Sequence, residues 1–324
     1  MKVLIEAIEY YLPPKIEDAG ALKKDNPDWQ IERIEERTGI TKRHISGFNQ
    51  TAVDMGMLAA EKLFLSGNRR DEIDLLILVT QSPDYKLPTS ACLLQNLLKL
   101  NTACMAFDIN LGCSGFIYAL AVAASLIETG AAHKALVICS DTYTKYIDKA
   151  DRTCRPIFSD GASAVLLKPC NHHCLGPFDM GTDGAGFLNL IVPSSGARTK
   201  KLDKPKGKLF MDGPELFMFT MDIVPKTINA LLNKAGKTIE DIDLFVFHQA
   251  SKVVIDNIIR RMEIPRRKTF INYHKIGNTV SASIPIVLKD AEKKGRLKPN
   301  DKIMLVGFGV GYSWGSCIVQ WRPR

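Results

Sequence analysis

Residues 71–82 read DEIDLLILVTQS, and residues 240–251 read EDIDLFVFHQAS. Each stretch has an acidic lead-in, an Ile-Asp pair, an apolar run typical of a buried strand, and a polar end. The two stretches lie 169 residues apart, a spacing far longer than the period of solenoid repeats. One such match would be weak, so its meaning depends on whether other parts of the chain repeat at a similar spacing.

Two further pairs of segments do repeat in this way. GCSGFIYAL, which begins at Gly112, matches GNTVSASIPIVL, which begins at Gly277, at an offset of 165 residues. KALVICS, from Lys134, matches KIMLVGF, from Lys302, at an offset of 168 residues. Three matches at nearly one offset indicate two copies of one α/β unit.

The repeat predicts an α/β protein with duplicated halves, one over residues 1–170 and the other over residues 171–324. Buried strands alternate with helical stretches in each copy, so we expect two largely parallel or mixed sheets covered by helices. Central helices should pack between the two sheets. The chain has 324 residues, of which 46% are hydrophobic, and can therefore bury a large core.

The composition argues against membrane and disulfide-stabilised proteins. The N-terminal stretch MKVLIEAIEYYLPP has glutamates inside its apolar run and reads as a strand, not as a signal peptide. The longest apolar run, residues 116–127, is too short to span a bilayer. We expect a soluble cytoplasmic protein without membrane contact, in which the eight cysteines are free thiols.

The chain is basic, with a formal net charge of +8. Basic residues gather at 198–208 (RTKKLDKPKGK) and at 260–268 (RRMEIPRRK). These segments are either solvated loops and helix ends or a rim that attracts an anionic partner, such as a phosphorylated cofactor or an acidic carrier protein. No nucleic-acid-binding motif accompanies the charge, so nucleic acid is not expected as a partner.

A cysteine lies where a predicted strand turns into a predicted helix, in FDINLGCSGFIYAL at residues 107–120. The partial positive charge of a helix N-terminus favours thiolate, so we expect this position to lower the pKa of Cys113. Asn278 occupies the equivalent place in the second copy, just after a glycine at the start of a buried helix, and His248 ends the second-copy strand. A pseudo-twofold axis would bring the three side chains together.

The cysteine and the histidine also have simpler interpretations. A buried cysteine is more often structural, and a single histidine in an apolar strand is more often a core histidine with its hydrogen bonds satisfied. The matched positions of Cys113, His248 and Asn278 favour a catalytic site. Burial keeps imidazole neutral, and a neutral imidazole and an amide can both donate to a thioester oxygen that becomes an enolate.

The glycine-rich segment FGVGYSWGS, residues 308–316, follows a further buried strand. Gly311 could direct its backbone N–H into the site and form an oxyanion hole with the N–H of Cys113. The alternative is a tight hairpin without a catalytic role.

With these residues in place, the sequence resembles the β-ketoacyl-acyl-carrier-protein synthase III family of the thiolase superfamily over nearly its whole length. The resemblance implies a thiolase-like five-layered αβαβα fold with duplicated halves, a homodimer, and a Cys-His-Asn triad. It implies no cofactor, because the CoA thioester is itself a substrate. The motifs that carry it are RTGI (37–40), GCSGF (112–116), DGASAVLL (160–167), MDGPELF (211–217), HQAS (248–251), GNTVSASIP (277–285) and FGVGYSWGS (308–316).

The resemblance also implies a reaction. Cys113 resembles the nucleophile that accepts an acyl group from acyl-CoA. His248 and Asn278 look like the pair that promotes decarboxylation of a malonyl thioester, carried by acyl carrier protein or CoA. The resulting carbanion would attack the acyl-cysteine and give a 3-oxoacyl product by Claisen condensation.

Further positions match substrate-contacting residues of the family. Arg37 and Arg152 match arginines that contact the CoA nucleotide, and Leu87 lies where the partner subunit's side chain often closes the acyl pocket. Residues that match the lining of the pantetheine channel are Gly213, Phe217 and Ala250.

The chain also departs from the family pattern. Arg33 replaces a tryptophan that stacks on adenine, although a cation can still stack there. Val253 replaces an arginine that docks the carrier protein, and Lys252, Arg260 and Arg261 could substitute for it. Val310 replaces a glycine in the FGGG pattern. These changes suggest a specialised relative that serves a secondary pathway.

Other functions remain open on sequence alone. The first alternative is an acyltransferase that moves the cysteine-bound acyl group to a hydroxyl or amine acceptor. A degradative thiolase would need a second active-site cysteine, and Cys317, on the predicted final strand, is poorly placed for that role. A catalytically silent scaffold is a third alternative.

CNHHC, residues 170–174, does not match the usual paired zinc ligands, so we predict no metal site.

Overall fold

Two sheets built on the same plan form the centre of the protein. The computed structural model describes residues 1–198, 202 and 204–322. Its strands are β1 (Val3–Tyr11), β2 (Ile16–Asp18), β3 (Lys42–His44), β4 (Leu75–Val79), β5 (Met105–Ile109), β6 (Ala135–Asp141), β7 (Gly161–Pro169), β8 (Leu175–Thr182), β9 (Leu190–Ile191), β10 (Phe210–Met211), β11 (Leu244–Phe247), β12 (Lys302–Gly309) and β13 (Ser313–Gln320). Its α-helices are α1 (Ala19–Asp25), α2 (Ile31–Thr38), α3 (Ala52–Leu65), α4 (Ser90–Leu97), α5 (Gly115–Glu128), α6 (Gly213–Ala235), α7 (Lys252–Arg261), α8 (Tyr273–Ile276) and α9 (Ser283–Lys293).

The two sheets share their strand order and strand directions. The first sheet has the order β1-β7-β6-β4-β5 and the second the order β8-β13-β12-β11. Equivalent pairs of strands are parallel in the two sheets, β4 with β6 and β11 with β12, and the next two pairings in each sheet are antiparallel. A single parallel bridge between Phe245 and Thr269 takes the place that β5 has in the first sheet.

The repeated sequence segments fall on equivalent elements. DEIDLLILVTQS contains β4 and EDIDLFVFHQAS contains β11, while KALVICS and KIMLVGF fall largely on β6 and β12. Every residue of β4, β6 and β11 is buried, as the continuous apolar runs predict for strands covered on both faces.

Helices form three layers around and between these sheets. α3 and α4 pack on the outer face of the first sheet, and α6 and α7 cover the outer face of the second. α5 and α9 contact both sheets. α5 is strongly apolar and mostly buried, as expected of a helix between two sheets, and Val122, Ser125 and Glu128 are its exposed residues. The five-layered αβαβα arrangement with duplicated halves that the sequence predicts is therefore confirmed.

The prediction for the surroundings of Asn278 was wrong in one respect. Cys113 lies two residues before α5, but Asn278 lies five residues before Ser283, the first residue of α9. A 3-10 turn over Val280–Ala282 separates them. Asn278 forms an isolated parallel bridge with Phe158. The chain is therefore extended at Asn278, and the 3-10 turn begins only after it.

Two expectations about the surface can also be compared with the structure. Within the described residues, no helix combines the length and apolar character needed to cross a bilayer. Part of the basic segment 198–208, namely residues 199–201 and 203, lies outside the described residues.

Candidate active site

A largely apolar cavity of about 410 Å³ opens beside the central helices. Cys113, His248 and Asn278, which come from three distant parts of the sequence, all line it. Each is almost completely buried, with 5%, 1% and 4% of its surface exposed. The structure therefore brings the predicted catalytic residues to one cavity.

Cys113 lies in the short connection between β5 and α5, packed against β12. A Cβ atom on Gly309 of β12 would lie 2.9 Å from both the Sγ and the Cβ of Cys113, so only glycine leaves room for the thiol. Burial, together with the Asp141 carboxylate, raises the pKa of the Cys113 thiol to about 12, although the N–H groups of Cys113 and Val310 act in the opposite direction. The expected low pKa was wrong for the protein without substrate, because desolvation outweighs the helix terminus.

His248 follows the last residue of β11, and its backbone N–H donates to the carbonyl of Val306 at 2.8 Å. The Nδ1 atom lies 2.7 Å from the Oγ of Ser283 in the first turn of α9. Burial lowers the pKa of His248 to about 3, although the backbone of Val280 acts in the opposite direction. The expectation of a neutral imidazole is therefore confirmed.

Asn278 is held by its main chain and by its own side chain. Its backbone N–H donates to the Ile157 carbonyl at 3.0 Å, and its carbonyl accepts from the Ser159 N–H at 2.9 Å. The side-chain Oδ1 accepts from the Val280 N–H at 2.9 Å. Since Oδ1 is engaged, the NH₂ group is the part of this amide that can donate to a bound molecule. Val280 has a φ of +54°, in the left-handed region, and this turn brings its N–H back to the Asn278 side chain.

Gly311, the predicted second donor of an oxyanion hole, does not line the cavity, whereas the neighbouring Val310 has its N–H beside Cys113. The N–H of Val310 is the group from this loop that stabilises the Cys113 thiolate. A Cβ atom on Gly311 would meet the main chain and side chain of Ser313, and Gly311 does not line the cavity.

Phe308 and Asp141 belong to the site although sequence reasoning did not single them out. The Phe308 ring lines the cavity and meets the His248 ring edge-on, with centroids 5.7 Å apart. Asp141 ends β6 and is fully buried. Its carboxylate accepts from the N–H of Gln81 at 2.8 Å and from the hydroxyl of Ser281 at 2.5 Å.

Asp141 thereby joins the two halves of the molecule next to the site. Gln81 follows β4 in the first half, and Ser281 lies in the 3-10 turn after Asn278 in the second. Burial raises the pKa of Asp141 to about 7, and its hydrogen bonds, the largest from Ser281, oppose this shift. The phrase SDT around Asp141 carries no sequence signal for this role, because its partners are distant in sequence.

The predicted substrate-contacting residues divide into two groups. Arg37, Gly213, Phe217 and Ala250 line the cavity with the catalytic candidates. Arg152 and Leu87 do not line it. Arg152 is exposed, and Leu87 has 86% of its surface exposed.

Basic side chains lie on α7, the helix whose Val253 lines the cavity. Lys252 forms an ion pair with Asp256 at 2.9 Å, and Arg260 donates to the side chain of Asn257 at 2.6 Å. The charge of Lys252 is therefore partly neutralised, so Arg260 and Arg261 are the stronger candidates for contact with an anion. No group of three or more potential metal ligands occurs within residues 1–198, 202 and 204–322.

Comparisons with known proteins agree with this arrangement. Residues 107–184 match the family model described as 3-oxoacyl-[acyl-carrier-protein (ACP)] synthase III, and residues 232–321 match the model described as the C terminal of that enzyme. The beta-ketoacyl-[acyl-carrier-protein] synthase III of Caldanaerobacter subterraneus is 37% identical over 319 residues, which cover 96% of this chain and 95% of that protein.

Solved structures give the same result. A crystal structure of a 3-oxoacyl-(acyl-carrier-protein) synthase III is 40% identical, with a TM-score of 0.93, and the match covers 99% of this chain and 100% of that chain. The corresponding enzyme of Thermus thermophilus is 32% identical, with a TM-score of 0.93 over 98% of this chain and 99% of that chain. The chain therefore belongs to the 3-oxoacyl-[acyl-carrier-protein] synthase III family of condensing acyltransferases.

Proposed function

We propose that this protein transfers an acyl group from acyl-CoA to Cys113 and condenses it with a malonyl thioester by decarboxylative Claisen condensation. The observation that carries the proposal is the shared cavity, in which a thiol, a neutral imidazole and an amide face one apolar space. The thiol can carry the acyl group, and the other two groups can bind the extender without titrating.

In the first half-reaction the Cys113 sulphur attacks the thioester carbonyl carbon, and the CoA sulphur leaves with the thiol proton. The pKa of about 12 means that the free enzyme holds a thiol, not a thiolate, at neutral pH. The N–H groups of Cys113 and Val310 stabilise charge at this point, so they are the proposed oxyanion-hole donors. Activation therefore occurs as the substrate binds and its carbonyl oxygen takes up the developing negative charge.

In the second half-reaction His248 and Asn278 bind the malonyl thioester oxygen. We assign the tautomer in which the hydroxyl of Ser283 donates to Nδ1 of His248, 2.7 Å away, so that Nε2 carries the imidazole proton. Nε2–H and the Asn278 amide then donate to the oxygen that becomes an enolate as carbon dioxide leaves. The enolate carbon attacks the acyl-cysteine carbonyl and expels the Cys113 thiolate, which gives a 3-oxoacyl product.

We further propose a CoA thioester as donor and a carrier-bound or CoA-bound malonyl group as extender. Arg37 at the cavity supplies a cation for the CoA phosphates, and the apolar walls formed by Phe217 and Ala250 suit a pantetheine arm. Arg260 and Arg261 on α7 offer positive charge to an acidic carrier protein. No bound cofactor is needed for either half-reaction.

A homodimer is also part of the proposal. β5 pairs only with β4 and forms the edge of the first sheet, and edge strands of this kind are usually covered. Exposed apolar side chains lie in other loops of the same half, with Phe48 97% and Leu87 86% exposed. In a dimer, Leu87 could reach the partner's cavity and close the end that holds the acyl chain.

The test is intact-mass analysis of the protein with a panel of acyl-CoA thioesters, followed by addition of a malonyl-carrier thioester. We expect one acyl group per chain on Cys113, then release of carbon dioxide and formation of a 3-oxoacyl product. Stable acylation without extension, combined with acyl transfer to an added alcohol or amine, would instead identify a heteroatom acyltransferase.

A further inference from the structure

The CNHHC segment at residues 170–174 has no part in the proposed reaction. It forms the crossover between the two copies, because β7 ends at Pro169 and β8 begins at Leu175. The segment belongs to no cluster of three metal-ligating side chains in the described part of the chain. It does bring two thiols together, with the Sγ of Cys170 3.6 Å from the Sγ of Cys174.

The main chain holds both cysteines in place. The N–H of Cys170 donates to the Lys2 carbonyl at 2.9 Å, and that of Cys174 donates to the Met1 carbonyl at 3.1 Å. The two ends of the short loop are thus fixed beside the start of β1, with their side chains in contact. A disulfide needs a sulphur separation of roughly 2.05 Å, so rotation of the two side chains has to close a gap of roughly 1.6 Å.

The two thiols differ in their access to solvent. Cys170 is half-buried, whereas Cys174 has 1% of its surface exposed. Burial raises the pKa of the Cys174 thiol to about 11, the contact with Cys170 adds to this shift, and Arg322 opposes it. A small molecule in solution therefore reaches the Cys170 sulphur first, and Cys174 is the neighbour that can react afterwards.

We propose that Cys170 and Cys174 are a modification site that forms a reversible disulfide by exchange with a small disulfide of the glutathione class. The Cys170 thiolate attacks one sulphur of the small disulfide, which forms a mixed disulfide and releases one small thiolate. Cys174 then loses its proton, and its sulphur attacks Cys170 and releases the second small thiolate. The two protein thiols are oxidised, the small disulfide is reduced to two thiols, and the two protons end on those thiols.

The experiment treats the native protein with an excess of oxidised glutathione, quenches it with acid, and alkylates the remaining thiols after denaturation. The wild-type chain has eight cysteines, and we expect Cys170 and Cys174 to become inaccessible to alkylation while neither gains a glutathionyl group. A non-reducing tryptic digest gives the peptide of residues 153–198, which contains Cys154, Cys170 and Cys174, and fragmentation of this peptide shows whether the bond joins Cys170 to Cys174. This peptide measurement needs no variant, so it remains decisive even if the variants fold poorly.

Two variants and a control test the order of the steps. Cys174→Ser should trap the glutathionyl group on Cys170, and Cys170→Ser should keep the Cys174 thiol free. Cys92→Ser removes an exposed thiol elsewhere, and in this variant Cys170 and Cys174 should still become inaccessible to alkylation. A stable glutathionyl group on Cys170 of the wild-type chain, or a Cys174 that oxidises equally well in Cys170→Ser, would overturn the proposal.

Discussion

The two copies of the α/β unit place different chemistry at the same point of the fold. In the N-terminal copy the chain runs from β5 through Cys113 almost directly into α5. The donors beside the sulphur are main-chain N–H groups, that of Cys113 itself and that of Val310 from the C-terminal copy. In the C-terminal copy a 3-10 turn lies between Asn278 and α9, and the donors are side chains. Duplication fixes where the two segments meet, and the lead-in to each central helix decides which groups face the cavity.

This comparison assigns one half-reaction to each copy. The N-terminal copy supplies a nucleophile that becomes covalently modified. The C-terminal copy supplies His248 and Asn278, which bind charge that develops on the extender and remain unmodified. If the assignment is right, damage to one copy should leave the partial reaction of the other copy measurable.

The largest effect is expected from Cys113→Ala. Without the sulphur no acyl-enzyme forms, so chain extension should fall by at least about 10⁴-fold. His248 and Asn278 remain, so decarboxylation of the malonyl thioester should persist. Release of labelled carbon dioxide and formation of the 3-oxoacyl product are measured in the same samples, with Cys92→Ala as the control. Loss of both activities together would contradict the division between the copies.

Asn278→Ala should give the converse result with a smaller effect. Removal of one preorganised donor to an enolate costs about 10²- to 10³-fold in rate, so extension should fall by that amount. Acylation of Cys113 by acyl-CoA should change by less than about 3-fold, because its donors are main-chain groups. Asn278→Asp keeps the shape of the side chain but loses the NH₂ donor, and it should be at least as impaired in extension. Equal losses in acylation and extension would indicate a structural role for Asn278.

Much of this arrangement could be predicted from the sequence because local patterns determine it. The apolar runs of β4 and β11, their common spacing, and the glycines before Cys113 and Asn278 were enough for the layered fold and for the convergence of three residues at one cavity. The alternative of a core histidine at His248 could be weighed against a catalytic role only when its place on the cavity was known.

The rest could not be predicted because it depends on contacts between distant segments. The conformation of the main chain places the N–H of Val310 beside Cys113, and this placement cannot be inferred from the valine side chain. The high pKa of Cys113 follows from burial between layers, which outweighs the local effect of α5. Asp141 looks like an ordinary polar residue at a strand end until its hydrogen bonds to both halves are seen.

Asp141→Asn should produce a moderate gain in thiol reactivity. The Asp141 carboxylate raises the pKa of Cys113, so its removal lowers that pKa and increases the thiolate fraction. Alkylation of Cys113 by iodoacetamide at about pH 8.5 should become about 2- to 10-fold faster. At about pH 5.5 the difference should vanish, because Asp141, with a pKa of about 7, is then protonated in the wild-type protein.

Asp160→Asn is the matched control for this prediction. Asp160 is also completely buried, and it accepts hydrogen bonds from the main chain of Ser46 and from Thr144. It does not act on the Cys113 thiol. An equal gain in alkylation rate for Asp160→Asn would show that loosened packing, not the charge of Asp141, exposes the sulphur.

The smallest expected effect is a pair of opposite trends in stability, one from each copy. His248 has a pKa of about 3 in the folded protein against a usual 6.5, so the unfolded chain binds more protons between these values and acidification destabilises the native state. Asp141 has a pKa of about 7 against a usual 3.8, so the native state binds more protons there and a rise in pH destabilises it. The free energy of unfolding is measured by urea titration at about pH 5 and about pH 7. In His248→Asn the decrease of this free energy on acidification should become smaller. In Asp141→Asn the decrease on raising the pH should become smaller. If the pH dependence of the unfolding free energy changed in the same direction in both variants, the two buried groups would not titrate as their surroundings require.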